Sequence, residues 1–205
     1  MVLKNAPAER LEEHSGLVVW LTGLSGAGKT TLATAVRRLM MLQGYRTFIL
    51  DGDALRSGLC CDLGFCDEDR HENVRRGAAV SRLMADAGLI CFTALISPFH
   101  ADRLRARGLV STERFLEVFV NAPLAVCEQR DVKGLYRRAR ANEIPNFTGI
   151  TSPFDPPESP DVEVRTDLWP VEKCAAFIYN AAEKKLRRLS SVNGEARKLS
   201  EAAVS

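Results

Sequence analysis

The chain has 205 residues, of which 46% are hydrophobic and 26% charged, a balance that suits one soluble globular domain with a real core. A formal net charge of +2, with basic and acidic residues interleaved, excludes a surface built for nucleic acid or for a membrane. Six cysteines (Cys60, Cys61, Cys66, Cys91, Cys127 and Cys174) lack both zinc-site spacing and disulfide-scaffold density, so they read as reduced intracellular thiols serving as small buried side chains.

In chain order, residues 1–15 form a polar arm with Glu9, Glu12 and Glu13, unlike a signal or transit peptide. No apolar run reaches bilayer-spanning length, and the expected location is the cytoplasm. The apolar run Leu17–Thr22 predicts a strand and Thr30–Gln43 a helix, closed by Gly44. Thr47–Leu50 predicts a second strand and Asp67–Ala87 a long helix ending at Gly88. Strand Leu89–Leu95, helix Pro98–Arg107, strand Phe115–Val120 and helix Pro123–Arg130 follow. Pro145–Pro160, rich in proline and aromatic residues, reads as a substrate lid, and Val171–Leu189 as the last helix. A single domain over 16–190 and a frayed, disordered tail over 191–205 complete the division. Short apolar strands alternating with helices predict an α/β fold, a parallel sheet with helices on both faces.

Between the first strand and first helix lies Gly23-Leu24-Ser25-Gly26-Ala27-Gly28-Lys29-Thr30, followed by Thr31, which fits the phosphate-loop pattern G-x-x-x-x-G-K-[ST] in the right context. Glycines let backbone N–H groups turn inward around a polyphosphate, the helix contributes its positive end, and Lys29 a mobile charge. The chain is therefore expected to bind a nucleoside triphosphate, with Thr30 as a Mg²⁺ ligand. Asp51-Gly52-Asp53 ends the second strand. Its two carboxylates suit ordering the Mg²⁺ water shell, assigned to Asp51, and orienting an acceptor hydroxyl, assigned to Asp53 as general base or hydrogen-bond acceptor. On the long helix, Arg70, Asn73 and Arg76 share a face that reads either as a solvated charged surface or as a grip for an anion.

These motifs occur in order with Leu63-Gly64-Phe65, Ile96-Ser97-Pro98, Arg130-Asp131-Val132-Lys133-Gly134-Leu135-Tyr136 and Phe147-Thr148-Gly149-Ile150. The sequence from about Gly16 to Leu186 closely resembles the adenylyl-sulfate kinase (APS kinase) family. The resemblance implies a P-loop NTPase-type sheet and transfer of phosphate from ATP, with Mg²⁺, to the ribose 3′-hydroxyl of adenosine 5′-phosphosulfate (APS), giving 3′-phosphoadenosine 5′-phosphosulfate (PAPS) and ADP. It puts Asp53, Arg56, Phe65, Arg70, Asn73, Ile96, Ser97, Lys133, Asn146 and Phe147 at the acceptor, with Phe65 and Phe147 enclosing its adenine. It brings Trp169 towards the ATP adenine, and implies a homodimer with functional association with ATP sulfurylase. Some family members carry a phosphoserine at the position of Ser97; direct in-line transfer is the reading preferred here, because phosphoryl transfer needs positioning and charge stabilisation rather than a protein nucleophile. Asn142, where glycine is frequent, and Phe154, where tyrosine is frequent, depart from the pattern. The alternatives are a phosphate-loop kinase of another small hydroxylated acceptor, such as gluconate or shikimate, and a catalytically silent nucleotide-binding module regulating ATP sulfurylase.

Overall fold

A computed structural model describes residues 16–202; the arm, 1–15, lies outside the described residues. The elements run β1 (Leu17–Thr22), α1 (Lys29–Leu42), β2 (Thr47–Asp51), α2 (Gly52–Ser57), α3 (Asp67–Asp86), β3 (Ile90–Ala94), α4 (His100–Val110), β4 (Phe115–Asn121), α5 (Leu124–Arg130), α6 (Leu135–Arg140), β5 (Val162–Arg165) and α7 (Val171–Ala202). All five strands pair in parallel in the order β2-β3-β1-β4-β5. The expected parallel α/β architecture is the observed one.

Strand β1 is central, and its continuous apolar run is buried on both faces because helices cover both. Leu17, Val19 and Leu21 meet Leu32, Val36 and Met40 of α1 and Cys174, Ile178 and Leu186 of α7. On the other face, Val18 and Trp20 join Leu50, Val74, Ala78, Ala106 and Phe115, under α3 and α4, with the rings of Trp20 and Phe115 stacked at 5.6 Å. The alternation of side chains along β1 thus feeds two separate cores.

Several boundaries differ from expectation, each for a local reason. Strand β5, Val-Glu-Val-Arg, is a four-residue edge strand that buries Val164 and leaves Glu163 exposed, too short and too charged to register as an apolar run. Helix α2 starts at once after β2 because both Asp51 carboxylate oxygens are engaged, Oδ1 accepting from the Asp53 N–H at 2.8 Å as an N-cap. Helix α4 begins at His100 rather than Pro98, since Phe99 is extended and the Ser97 and Pro98 carbonyls are taken by Arg103. Helix α7 passes Leu189 and continues to Ala202, where a frayed tail was expected; Glu195, Ala196, Arg197, Lys198 and Leu199 are good helix formers and no proline interrupts them. Cys60, Cys91, Cys127 and Cys174 are buried as expected, whereas Cys61 and Cys66 are exposed because they flank the loop before α3 rather than facing a core; all six are free thiols. Asn142 adopts φ 60°, a left-handed conformation that asparagine tolerates, which accounts for its standing where glycine is frequent.

The carboxyl ends of β1, β2, β3 and β4 deliver, respectively, the loop at Gly23, the Asp51-Gly52-Asp53 turn, the Leu95–Pro98 segment and Asn121 to one edge of the sheet. That edge is where open α/β sheets gather their ligands. No helix among the described residues is long and apolar enough to cross a membrane.

Candidate active site

A cleft of about 690 Å³ opens at this edge and unites the phosphate loop with the second set of polar residues. Gly23 begins the loop at φ 145°, and a Cβ there would lie 2.4 Å from the Val120 carbonyl oxygen, so only glycine lets the loop leave β1 beside β4. Helix α1 starts behind Gly28 with no side-chain cap, which leaves its first N–H groups for an anion. Lys29 at its first position donates to the carbonyl oxygens of Gly23 at 2.9 Å and Leu24 at 2.8 Å. Burial draws its pKa from the ordinary 10.5 down to about 8, and a polyphosphate beside it would restore the full charge.

Thr30 donates through Oγ1 to Asp51 Oδ2 at 2.7 Å, so two hard oxygens stand together at the loop exit. Among the described residues no group of three or more His, Cys, Asp or Glu side chains could hold a metal by itself. The donor chemistry fits Mg²⁺, which takes one or two protein oxygens and completes its shell with phosphate and water.

Of the residues assigned from sequence, Ser25, Gly26, Ala27, Gly28, Lys29, Thr30, Thr31, Asp51, Asp53, Arg56, Phe65, Arg70, Asn73, Ile96, Ser97, Lys133 and Phe147 all line the cleft. Gly23, Leu24 and Asn146 do not. The first two support Lys29 from behind, and Asn146, at φ 53°, turns its carbonyl oxygen to accept from Arg70.

Arg56 and Arg70 both spend hydrogen bonds on backbone carbonyls: Arg56 on Leu63 and Gly64, Arg70 on Phe65 and Asn146. Burial lowers the pKa of each, and for Arg70 the nearby Arg56 charge lowers it further. Two guanidiniums brought together out of water repel each other, and an anion between them relieves both costs. Both guanidiniums lie against the Phe65 ring, that of Arg56 4.2 Å and that of Arg70 5.8 Å from its centroid, and Phe65 is 50% exposed, so part of the ring remains for stacking. Asn73 is buried and its Nδ2 has no hydrogen-bond partner among the described residues, a state an acceptor atom would satisfy. Phe147 is more enclosed and meets Tyr136 edge-on at 5.0 Å. Lys133 forms an ion pair with Asp53, and both side chains are exposed. Arg76, by contrast, does not join an anion grip. It is held by Glu72, one turn back, and by both carboxylate oxygens of Asp62.

Ser97 is 2% exposed, its hydroxyl accepts from Trp20 Nε1 at 3.0 Å, and its backbone sits at φ 39°. A hydroxyl engaged by an indole, with no basic side chain hydrogen-bonded to it among the described residues, is poorly set up as a nucleophile.

Three parts of the site had no role in the sequence reading. Arg130 donates to the Gly26 carbonyl at 3.2 Å and to the Thr166 carbonyl at 2.6 Å, and Thr166 Oγ1 donates to the Ala27 carbonyl at 2.8 Å. Tyr136 donates to the Ser25 carbonyl at 2.9 Å. Together they clamp the outer side of the phosphate loop, and Trp169, stacked on Phe177 at 5.3 Å, extends the same wall of the cleft. The sequence signal was present in the position of Arg130 and Tyr136 on either side of Lys133-Gly134, but their target lies more than 100 residues away.

Comparison with known proteins agrees with this geometry. The chain is 54% identical over 172 residues to an adenylyl-sulfate kinase of Acaryochloris marina, covering 84% of each chain. It is 50% identical over 166 residues to one from Prochlorococcus marinus, covering 81% of this chain and 83% of the other. Its fold superposes with a TM-score of 0.80, at 43% identity and over 83% of this chain and 99% of the other, on the Mycobacterium tuberculosis APS kinase CysC solved in complex with AMPPNP and APS. A gluconokinase of Sinorhizobium meliloti, with a TM-score of 0.57 and 16% identity over 86% of this chain and 97% of the other, shares the fold alone. With the adenylylsulphate kinase family model matching residues 15–165, through the phosphate loop and the segments carrying Asp51, Arg56, Arg70, Ser97, Lys133 and Phe147, the chain belongs to the adenylylsulphate kinase family.

Proposed function

We propose that this chain transfers the terminal phosphoryl group of ATP to the ribose 3′-hydroxyl of APS, yielding PAPS and ADP. The observation that carries the reading is the joining, in one cleft, of a complete phosphate loop with a paired-arginine, half-exposed-phenylalanine wall. A phosphosulfate requires the arginines and a purine requires the ring face, whereas a sugar acid requires no ring face.

Lys29 and the loop N–H groups neutralise charge that develops on the phosphoryl oxygens in flight. Asp53, at the start of α2, accepts the proton of the acceptor hydroxyl, and Lys133, its ion-pair partner, meets the acceptor's oxygens. Arg56, Arg70 and Asn73 hold the phosphosulfate end, with Ile96 and Ser97 lining the same side. Phe65 and Phe147 contact the adenine. Thr30 directly, and Asp51 through water, would hold Mg²⁺, which supplies charge neutralisation at the β- and γ-phosphates. Ser97 serves as a ligand contact in a direct transfer. A catalytic domain over 16–190 and a cytoplasmic location, read from the sequence, and a homodimer and a working association with ATP sulfurylase, which rest on the family resemblance, belong to the same proposal.

The test is ADP release with ATP alone and with ATP plus APS, and identification of the product as PAPS. APS-dependent release with PAPS formed is the expected result; ATP turnover indifferent to APS would contradict it. Phe65→Ala removes an exposed ring, so folding should be untouched while the KM for APS rises about 5- to 150-fold, the loss of one base stack, with the KM for ATP unchanged. Ser97→Ala is expected to retain substantial turnover, measured beside wild-type under saturating substrates. Near-complete loss with intact APS binding would instead support a phosphoserine route.

A further inference from the structure

Arg103, on α4, takes no part in the cleft's lining and is 1% exposed, yet it bonds to three separate parts of the molecule. Its Nε donates to Glu117 Oε1 at 3.0 Å, in the middle of β4. Its Nη1 donates to the carbonyl oxygens of Ser97 at 2.9 Å and Pro98 at 3.3 Å, and its Nη2 to that of Asp155 at 2.7 Å. A planar fork of five N–H groups can satisfy all four oxygens at once; an ammonium cannot span them.

The three segments matter for what they carry. Ser97-Pro98 is the end of the Ile96–Pro98 segment that lines the cleft. Asp155 lies on the far limb of the lid, where its N–H donates to the Pro98 carbonyl at 2.8 Å and its Oδ2 accepts from the His100 N–H at 3.2 Å. Phe154 beside it stacks on Phe119 of β4 at 6.1 Å. The near limb of the lid carries Phe147, which lines the cleft. One buried guanidinium therefore fixes the lid's anchored limb and the cleft-lining loop to each other and to the rigid sheet.

We infer that Arg103 is a positioning residue that sets the affinity for the phosphosulfate acceptor by locking the lid limb at Asp155 onto the Ser97-Pro98 loop, without touching either substrate. The inference rests on the reading of this cleft side as the acceptor site. The donor side, held by Arg130, Thr166 and Tyr136, shares none of these bonds.

The experiment compares wild-type, Arg103→Lys and Asp155→Ala in steady-state assays with ATP and APS varied in turn, with thermal melting as a check on folding. Arg103→Lys keeps a cation beside Glu117 but loses the fork, and is expected to raise the KM for APS about tenfold while the KM for ATP stays within about twofold and melting stays cooperative. Equal rises for both substrates, or an unchanged KM for APS in a folded variant, would overturn the inference. Should Arg103→Lys fail to fold, Asp155→Ala decides: it removes an exposed side chain that ties the lid limb to α4, and a rise of about threefold in the KM for APS alone is expected, no rise being contrary. Wild-type turnover that ignores APS would instead sink the reading of the cleft itself, whatever the variants do.

Discussion

Replacing Lys29 with Ala is expected to lower kcat about 10²- to 10³-fold, the loss of roughly 2.7 to 4 kcal/mol of charge stabilisation in the transition state. The ammonium sits where the loop, the end of β1 and the start of α1 converge, and no other lysine is positioned within the loop. The effect should fall on turnover rather than on folding. The two bonds it makes are to the Gly23 and Leu24 carbonyls, and the loop's shape is held independently by Gly23 at φ 145° and by the Arg130, Thr166 and Tyr136 clamp. Melting temperature and kcat are the measurements. A variant that melts like wild-type and turns over at near the wild-type rate would show that the phosphate site has been misassigned.

Asp53→Asn should be as damaging for a different reason. The amide keeps the shape of the carboxylate but cannot accept a proton from the acceptor hydroxyl, and losing a positioned general base costs about 10²- to 10⁴-fold in kcat. Folding should survive, because the Asp53 side chain is 73% exposed and its structural contribution is its backbone N–H, which Asp51 caps. Lys133 loses its ionic partner, so a modest change in the KM for APS is also expected. Asp51→Asn offers a contrast, since Asp51 is bonded to Thr30 and to the start of α2. Its defect should be partly relieved by raised Mg²⁺, whereas that of Asp53→Asn should not. An Asp53→Asn variant that retains more than about a tenth of wild-type kcat would remove the proton-accepting role.

The phosphate loop was legible because all its determinants are local: glycines, one lysine and one threonine between a strand and a helix. The parallel sheet was legible from four apolar runs of strand length. Strand β5 was not, since its partner β4 supplies the burial that its own four residues do not advertise. The misreading of Arg76 has the same origin. Glu72 at one helical turn was in plain view, but Asp62, 14 residues back across the loop, is what completes the clamp and withdraws Arg76 from ligand binding. Arg103 and Arg130 were invisible as structural agents because their oxygens come from chain segments up to 104 residues distant. The family resemblance put Arg56, Phe65 and Arg70 at the acceptor but not the two arginines against one ring, since neither the loop carrying Phe65 nor the turn of α2 has a periodicity that brings them together.

One cleft is expected to hold a nucleoside triphosphate and a second, anionic adenine nucleotide side by side. Calorimetric titration of APS into protein already saturated with AMPPNP tests it without catalysis. One APS bound per chain, with affinity abolished by Arg70→Ala and preserved by Arg76→Ala, is the predicted outcome. Ready binding of AMPPNP with no saturable heat from APS would contradict the account.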